Sequence, residues 1–214
     1  MSIVFFLNRG ITVSLKLLQK PESEPIRLDD IKSFLHLEHD LDDYLLNVLI
    51  TTARELVEKF LGRSLITQKL QYQNQVEICA EPTRLLNVTE GCPFGMNVNI
   101  ALPNAPIIEV TDLMCNGARV EEPNFKLTTV GDREILSLQT KKCTGQPLDI
   151  SAQYTAGYGD KAEDVPSTIR LAIMLVVSRV YKDRDLMSNG QENLLDGVKH
   201  LLCAYRINQD MWVK

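Results

Sequence analysis

The sequence predicts an α+β fold, with a helical core of about four helices and a β-rich antiparallel insert between the second and third. Three observations carry this. Apolar side chains recur at helical spacing from Leu45 to Phe60 and stop at Gly62. From Ser64 to Tyr154 the chain breaks into short β-prone runs separated by Pro, Gly and Asn. A glycine-rich turn, Thr155-Ala156-Gly157-Tyr158-Gly159-Asp160, then leads to a long apolar helix opening at Val165-Pro166. The predicted organisation is a lead-in and strand over residues 1–26, a helical core of 27–63 and 163–207, a β-rich insert over 64–162, and a tail of 208–214.

The elements follow in order. Ile11–Leu18 alternates as a strand and is closed by Lys20-Pro21 and the polar run Glu22-Ser23-Glu24-Pro25. A first helix fits Leu28–Leu37, with Leu28, Ile31 and Leu35 on one face and Asp29 and Asp30 at the favourable end of the helix dipole. Asp40 has the character of an N-cap for a second helix, whose stripe is Leu45, Leu49, Ala53, Leu56 and Phe60. Gly62 stands just past its end, where a left-handed residue belongs.

Six strands are expected in the insert: Leu65–Val76, Val98–Leu102, Ile107–Met114, Arg119–Leu127, Glu134–Leu138 and Leu148–Tyr154. Asn116-Gly117 marks a hairpin, because both central positions of its turn need positive φ. Gly131-Asp132 marks another turn. Pro166 opens a helix to about Asp185, since proline is well tolerated at the first helical position. Ile169, Ile173, Val176 and Val180 form its main stripe, while Leu171, Met174, Leu175 and Val177 spread apolar surface around the cylinder. Such a helix needs cover on several sides, from its own domain or a neighbouring subunit. A last helix, Glu192–Tyr205, has Leu194, Val198, Leu201 and Leu202 as its core face.

Composition narrows the function classes. The 214 residues are 44% hydrophobic and 24% charged, ordinary for a globular chain long enough to bury a core. A net charge of −5 gives no strong pull on nucleic acid. The five cysteines, Cys79, Cys92, Cys115, Cys143 and Cys203, are scattered without a CxxC pair and read as free thiols of a reducing cytoplasm. The apolar start Ile3–Leu7 is too short to span a membrane and poorly built as a signal peptide. Residues 1–10 are read either as an unstructured lead-in or as the product of a start codon placed too far upstream.

No arrangement of catalytic residues is visible. His36, Glu38, His39 and Asp40 carry metal-ligand side-chain types but lack the i, i+4 histidine spacing of a helix-borne site, so they read as turn residues and a cap. Gly157-Tyr158-Gly159-Asp160 lacks both GxGxxG spacing and a P-loop lysine, and reads as a tight turn that redirects the chain. No Gly-x-Ser-x-Gly elbow occurs, and adjacent acids such as Asp42/Asp43 have simpler roles at helix starts. No enzyme, metal or cofactor is expected. Arg179, Lys182 and Arg184 read first as a charged helix end, with a subunit or partner contact as the functional alternative. Tyr205, Arg206, Met211 and Trp212 are residue types enriched at interfaces, and their place at the chain end favours an intermolecular contact.

Seven segments in order carry a family resemblance. They are Pro25–Lys32, Leu46–Leu65 with Ala53-Arg54-Glu55 and Gly62-Arg63, Leu65–Gln68, Leu102–Ile107, Tyr154–Pro166, Val180–Arg184 and Leu201–Arg206. Together they resemble the head–tail connector (adaptor) proteins of tailed phages, prophages and gene transfer agents, over about Thr12 to Asn208. Two positions depart from the family pattern: Leu70, where tryptophan is usual, and Ala204, where proline precedes tyrosine.

The resemblance implies a non-enzymatic ring subunit of the virion neck, about a dozen copies strong, assembled in the bacterial cytoplasm. Its implied partners are further copies of itself, the portal protein, and the next neck or tail protein (stopper or tail terminator). DNA would pass through the lumen without specific binding, and no membrane is involved. The ring contact would use the apolar Pro166 helix and one face of the Leu45–Phe60 helix, with the tail from Tyr205 to Trp212 reaching the portal or a neighbour. The rival reading is a small-ligand- or metal-binding protein or enzyme, using the β-rich insert as a pocket and His36 and His39 as ligands.

Overall fold

The structure, a computed structural model, describes residues 4–8, 11–76, 96–140, 147–183 and 194–207. The fold is α+β. The chain divides into two compact units, residues 1–20 with 68–156 and residues 21–67 with 157–214.

The first unit is a pair of antiparallel sheets. The larger contains β1 (Val4–Asn8), β2 (Ile11–Gln19), β3 (Gln68–Val76), β5 (Ile107–Cys115), β6 (Ala118–Arg119) and β9 (Leu148–Ala156), in the order β1-β2-β3-β9-β5-β6. The smaller contains β4 (Met96–Leu102), β7 (Phe125–Val130) and β8 (Arg133–Thr140), in the order β4-β8-β7. Both contribute to one buried cluster, with Leu70, Tyr72, Leu113, Ile150 and Tyr154 from the first and Val98, Ile100, Leu136 and Leu138 from the second. Alternation supplies these faces: in β9, Leu148, Ile150 and Ala152 are buried while Asp149 is exposed.

Tight turns join the strands where the residues permit them. Asn116 and Gly117 take φ of 51° and 75°, as the hairpin needs, and Asn116 Oδ1 accepts the Asp149 N–H at 2.8 Å. Gly131, at φ 63°, turns β7 into β8. The expected strand Arg119–Leu127 is instead two, β6 and β7. Pro123 lies between them, and without an N–H it cannot continue a ladder. A turn closed by Asn124 N–H to Glu121 O at 3.0 Å takes its place. The β-rich unit is also not a single insert, because β2, before the helices in sequence, pairs along β3.

The second unit holds, among the described residues, the helices α1 (Leu28–Leu35), α2 (Asp43–Leu61), α3 (Ser167–Lys182) and α4 (Lys199–Leu202). Ile31, Leu46, Ile50, Val57, Leu61, Ile169, Ile173, Val177 and Leu202 form the centre of its core. The buried face of α2 runs through Leu46, Leu49, Ile50, Ala53, Leu56, Val57 and Leu61, whereas Leu45 and Phe60 are only partly buried, so the expected stripe is rotated at both ends. On α3 the stripe Ile169, Ile173, Val176 and Val180 is buried as read, and Leu171, Met174 and Leu175 stay partly open.

Several helix ends differ from expectation. Helix α1 stops at Leu35, since His36 enters the left-handed region at φ 57° and Leu37 N–H returns to Lys32 O at 3.0 Å. Asp40 is not the cap of α2, because its carboxylate is taken by Lys32 Nζ. Asp42 holds the N-cap position, and its Oδ2 accepts the Tyr181 hydroxyl at 2.7 Å. Pro166 is the N-cap of α3 rather than its first residue. The last helix is interrupted: residues 194–195 are helical, residues 196–198 form a turn around Gly197, and α4 then leads into a short 3-10 turn, Cys203–Tyr205. Residues 184–193 and 208–214, with Arg184, Met211 and Trp212, lie outside the described residues, as do Cys79, Cys92 and Cys143.

Candidate assembly surfaces

The C-terminal end of α2 organises the point where the chain leaves the helical unit. Gly62 closes the helix at φ 67°, with its N–H on Glu58 O at 2.9 Å. Arg63 then donates from Nε to Tyr205 O at 2.6 Å, and Ile207 N–H donates to Leu61 O at 2.9 Å. The Arg206 guanidinium lies 4.9 Å from the Phe60 ring centroid, a cation–π distance. Tyr205 packs against the core through its ring, whereas Arg206 is exposed. Three contacts thus hold Tyr205, Arg206 and Ile207 against the end of α2.

A buried ion network lies one to two turns back along α2. Arg54 is buried, with Nε 2.8 Å from Glu24 Oε2 and a terminal nitrogen 2.6 Å from Glu58 Oε2. Glu58 Oε1 accepts the Leu65 N–H at 2.8 Å, and Glu24 Oε1 accepts the Thr51 hydroxyl at 3.0 Å. Burial pushes the Glu58 carboxyl above its ordinary range, against Arg54 and the Leu65 amide, which favour the anion. Burial alone would lower Arg54, but Glu58, Glu24 and Glu55 more than offset it, and its pKa is raised. The network anchors Glu24, ahead of α1, and Leu65, beyond α2, to one helix face.

The turn before α3 is closed by backbone. Tyr158 N–H meets Leu65 O at 3.1 Å and Thr67 N–H meets Gly159 O at 3.0 Å. Gly157 has φ 146°, and a Cβ there would fall 2.6 Å from Ile66 C and Thr67 N, so only glycine fits. At Gly159 a Cβ would collide with the Asp164 side chain, whose Oδ2 accepts the Lys161 N–H at 3.0 Å. Ser23 Oγ donates to Asp160 O at 2.6 Å, and Arg27 pairs with Glu163. These contacts give the glycine-rich turn a packing role.

At the other end of α3, Arg179 and Lys182 are exposed, and Asp183 N–H closes the helix on Arg179 O at 3.0 Å. Arg179 borders an apolar groove with Leu175, Val176, Leu194, Gly197 and Val198. The N-terminal end of α2 lies close by through the Tyr181–Asp42 bond. There Leu41, Tyr44 and Val48 are 90%, 83% and 45% exposed. Among the described residues no group of three or more His, Cys, Asp or Glu is placed to hold a metal ion. Among the same residues no helix is long and apolar enough to cross a membrane.

The chain was compared with known proteins against this geometry. Residues 25–89 match the family described as phage gp6-like head-tail connector protein. Over this segment the chain is similar to the head–tail connector family. The family resemblance read from the sequence is thereby borne out. The connector segment spans α1, α2 and β3, and it holds Arg54, Glu58 and the Gly62 cap, with Glu24 just ahead of it.

The fold extends further than the connector segment. It matches a chain from the neck of an empty gene transfer agent particle computed with C6 symmetry, at TM-score 0.65 and 16% identity. It also matches chains from the neck of the native particle computed with C12 symmetry, at TM-score 0.63 and 17% identity, and from the native virion, at 0.62 and 17%. In each case 91% of this chain and 96% of the other are covered. No curated protein matches the chain.

Two features of the connector segment were missed in the sequence. The Arg54 network had a signal, since Arg54 and Glu58 are four apart on an otherwise apolar face. The open patch at Leu41, Tyr44 and Val48 had none, because periodicity does not say which apolar residues a fold leaves bare.

Proposed function

We propose that this protein is a structural subunit of the neck of a tailed phage, prophage or gene transfer agent, forming a ring between the portal and the next neck or tail protein. The carrying observation is the combination of a head–tail connector match over residues 25–89 with a fold shared over 91% of the chain with gene transfer agent neck chains. The symmetry of those necks, C6 and C12, supports a closed ring of about twelve copies, in which each subunit offers one face to the next. Such a subunit acts by assembly in the host cytoplasm and works in the virion, with no catalytic step.

The helical unit is the part that connects, and the β-rich unit elaborates it. Arg63, Tyr205 and Arg206 aim the tail, and Met211 and Trp212 at its tip bind the portal or a neighbouring copy. Arg179, Lys182 and Arg184 form a second charged contact. The acidic balance of the chain, −5, suits a lumen that DNA passes without adhering.

Native mass spectrometry of the chain, alone and mixed with the portal protein of its own genome, tests the reading. A ring-sized complex is expected with portal. Absence of any association in both samples would overturn the reading.

A further inference from the structure

Tyr44 and Val48 stand one turn apart on the outer face of α2, and Leu41 stands in the turn that leads into it. Leu41, Tyr44 and Val48, at 90%, 83% and 45% exposure, are large apolar side chains left open to solvent. Isolated exposed leucines are ordinary, but three large apolar residues in one short stretch, with an aromatic among them, have the composition of a contact centre. The rim is acidic on balance: Glu38 and Asp40 are exposed, Asp42 and Asp43 are partly so, and Lys32 pairs with Asp40 and Asp43.

The opposite end of the same helix has the complementary character. Lys59 is exposed there, and Arg206 is held out over Phe60 by its cation–π contact. One helix therefore carries an apolar, acid-rimmed end and a cationic end about 26 Å away, at a rise of 1.5 Å per residue between Tyr44 and Leu61.

Resting on the ring reading above, we propose that the Leu41–Tyr44–Val48 patch is where a second copy of this chain docks, presenting the Lys59–Arg206 end of its own α2. A contact of unlike ends is heterologous, the kind that closes rings, and the charge pattern favours it over a contact of like ends.

The test places a photo-cross-linking amino acid at position 44 of the full chain. Equal amounts of ¹⁴N- and ¹⁵N-labelled protein are mixed, alone and with portal, and cross-linked peptides are read by mass spectrometry. Mixed-isotope links from position 44 to peptides holding Lys59 or Arg206 are expected. Tyr44→Glu should weaken self-association at least tenfold, with an unchanged circular dichroism spectrum because the side chain is exposed. Mixed-isotope links elsewhere would overturn this surface and leave the ring reading standing. Same-isotope links alone, for instance to residues 184–193, would mean that the chain covers its own patch and would also overturn it. A ring that forms without any link from position 44 has the same consequence. If wild-type chains associate in neither sample, the ring reading falls and this surface with it.

Discussion

Ile207 N–H donates to Leu61 O at 2.9 Å, so the last described residue of the chain is tied to the last residue of α2. Ile207 is therefore a fixed point on the helical unit, next in sequence to Arg206, which lies over Phe60.

Deleting residues 208–214 should leave that point intact. None of the bonds that hold Tyr205–Ile207 uses the deleted residues, so the melting temperature is expected to stay within about 2 °C of wild type. Portal binding, followed by native mass spectrometry or pull-down, is expected to fall at least tenfold. Portal binding at wild-type strength would remove the tail from the interface.

Gly157→Ala should destabilise strongly. The added Cβ meets Ile66 C and Thr67 N at 2.6 Å, and both are backbone atoms of a closed turn, so the strand end or the turn must shift. A loss of about 3 kcal/mol or more is expected from urea unfolding. Gly117→Ala is the control. It too has positive φ, but its Cβ would meet nothing within 4 Å, and its loss should be limited to about 1 kcal/mol.

Arg54→Met should remove the cation from between Glu24 and Glu58 and cost about 3–5 kcal/mol near neutral pH. The sign of the pH dependence follows from Glu58, whose pKa in the folded chain is already raised by burial. A group raised in the fold contributes most below its unfolded value, and that contribution is lost as pH rises through the folded value. Without Arg54 the carboxyl is raised further, so the deficit of Arg54→Met should shrink between pH 7.5 and pH 5. Denaturation at both pH values reads it directly. An equal deficit at both would mean that Glu58 does not titrate with the fold.

Tyr72 and Tyr154 should resist alkaline titration. Burial pushes Tyr72 up to about 12, against the Asn74 amide that donates to its oxygen at 2.9 Å. Burial raises Tyr154 too, and its hydroxyl donates to Pro103 O at 2.9 Å. Tyr72 and Tyr154 should remain protonated at pH 11 by ultraviolet absorbance. Since both values are raised, the stability they contribute is complete below pH 10 and is lost as pH climbs past it. Tyr72→Phe should abolish the transition near pH 12.

Much of the helical unit was legible because its signals are local. The repeat from Leu49 through Ala53 and Leu56, the glycine at position 62, and the stripe Ile169, Ile173, Val176 and Val180 depend on residues within a few turns of each other. Asn116-Gly117 was legible for the same reason, since a two-residue turn needs particular φ values whatever surrounds it. The cap at Asp42 was not, because Asp40 is equally good locally, and the choice is made by Lys32 and Tyr181, which are distant in sequence.

By itself, then, the sequence determined the helices, the hairpins, the turn before α3, and a family likeness that rests on short motifs in order. Tertiary structure alone decided that β2 joins the sheet that follows the helices, that Arg54 is buried among three carboxylates, and that Leu41 and Tyr44 are left in the open. The division has one physical cause. Backbone propensity and side-chain periodicity act between near neighbours, whereas strand pairing, burial and charge compensation act between residues that only the folded chain brings together.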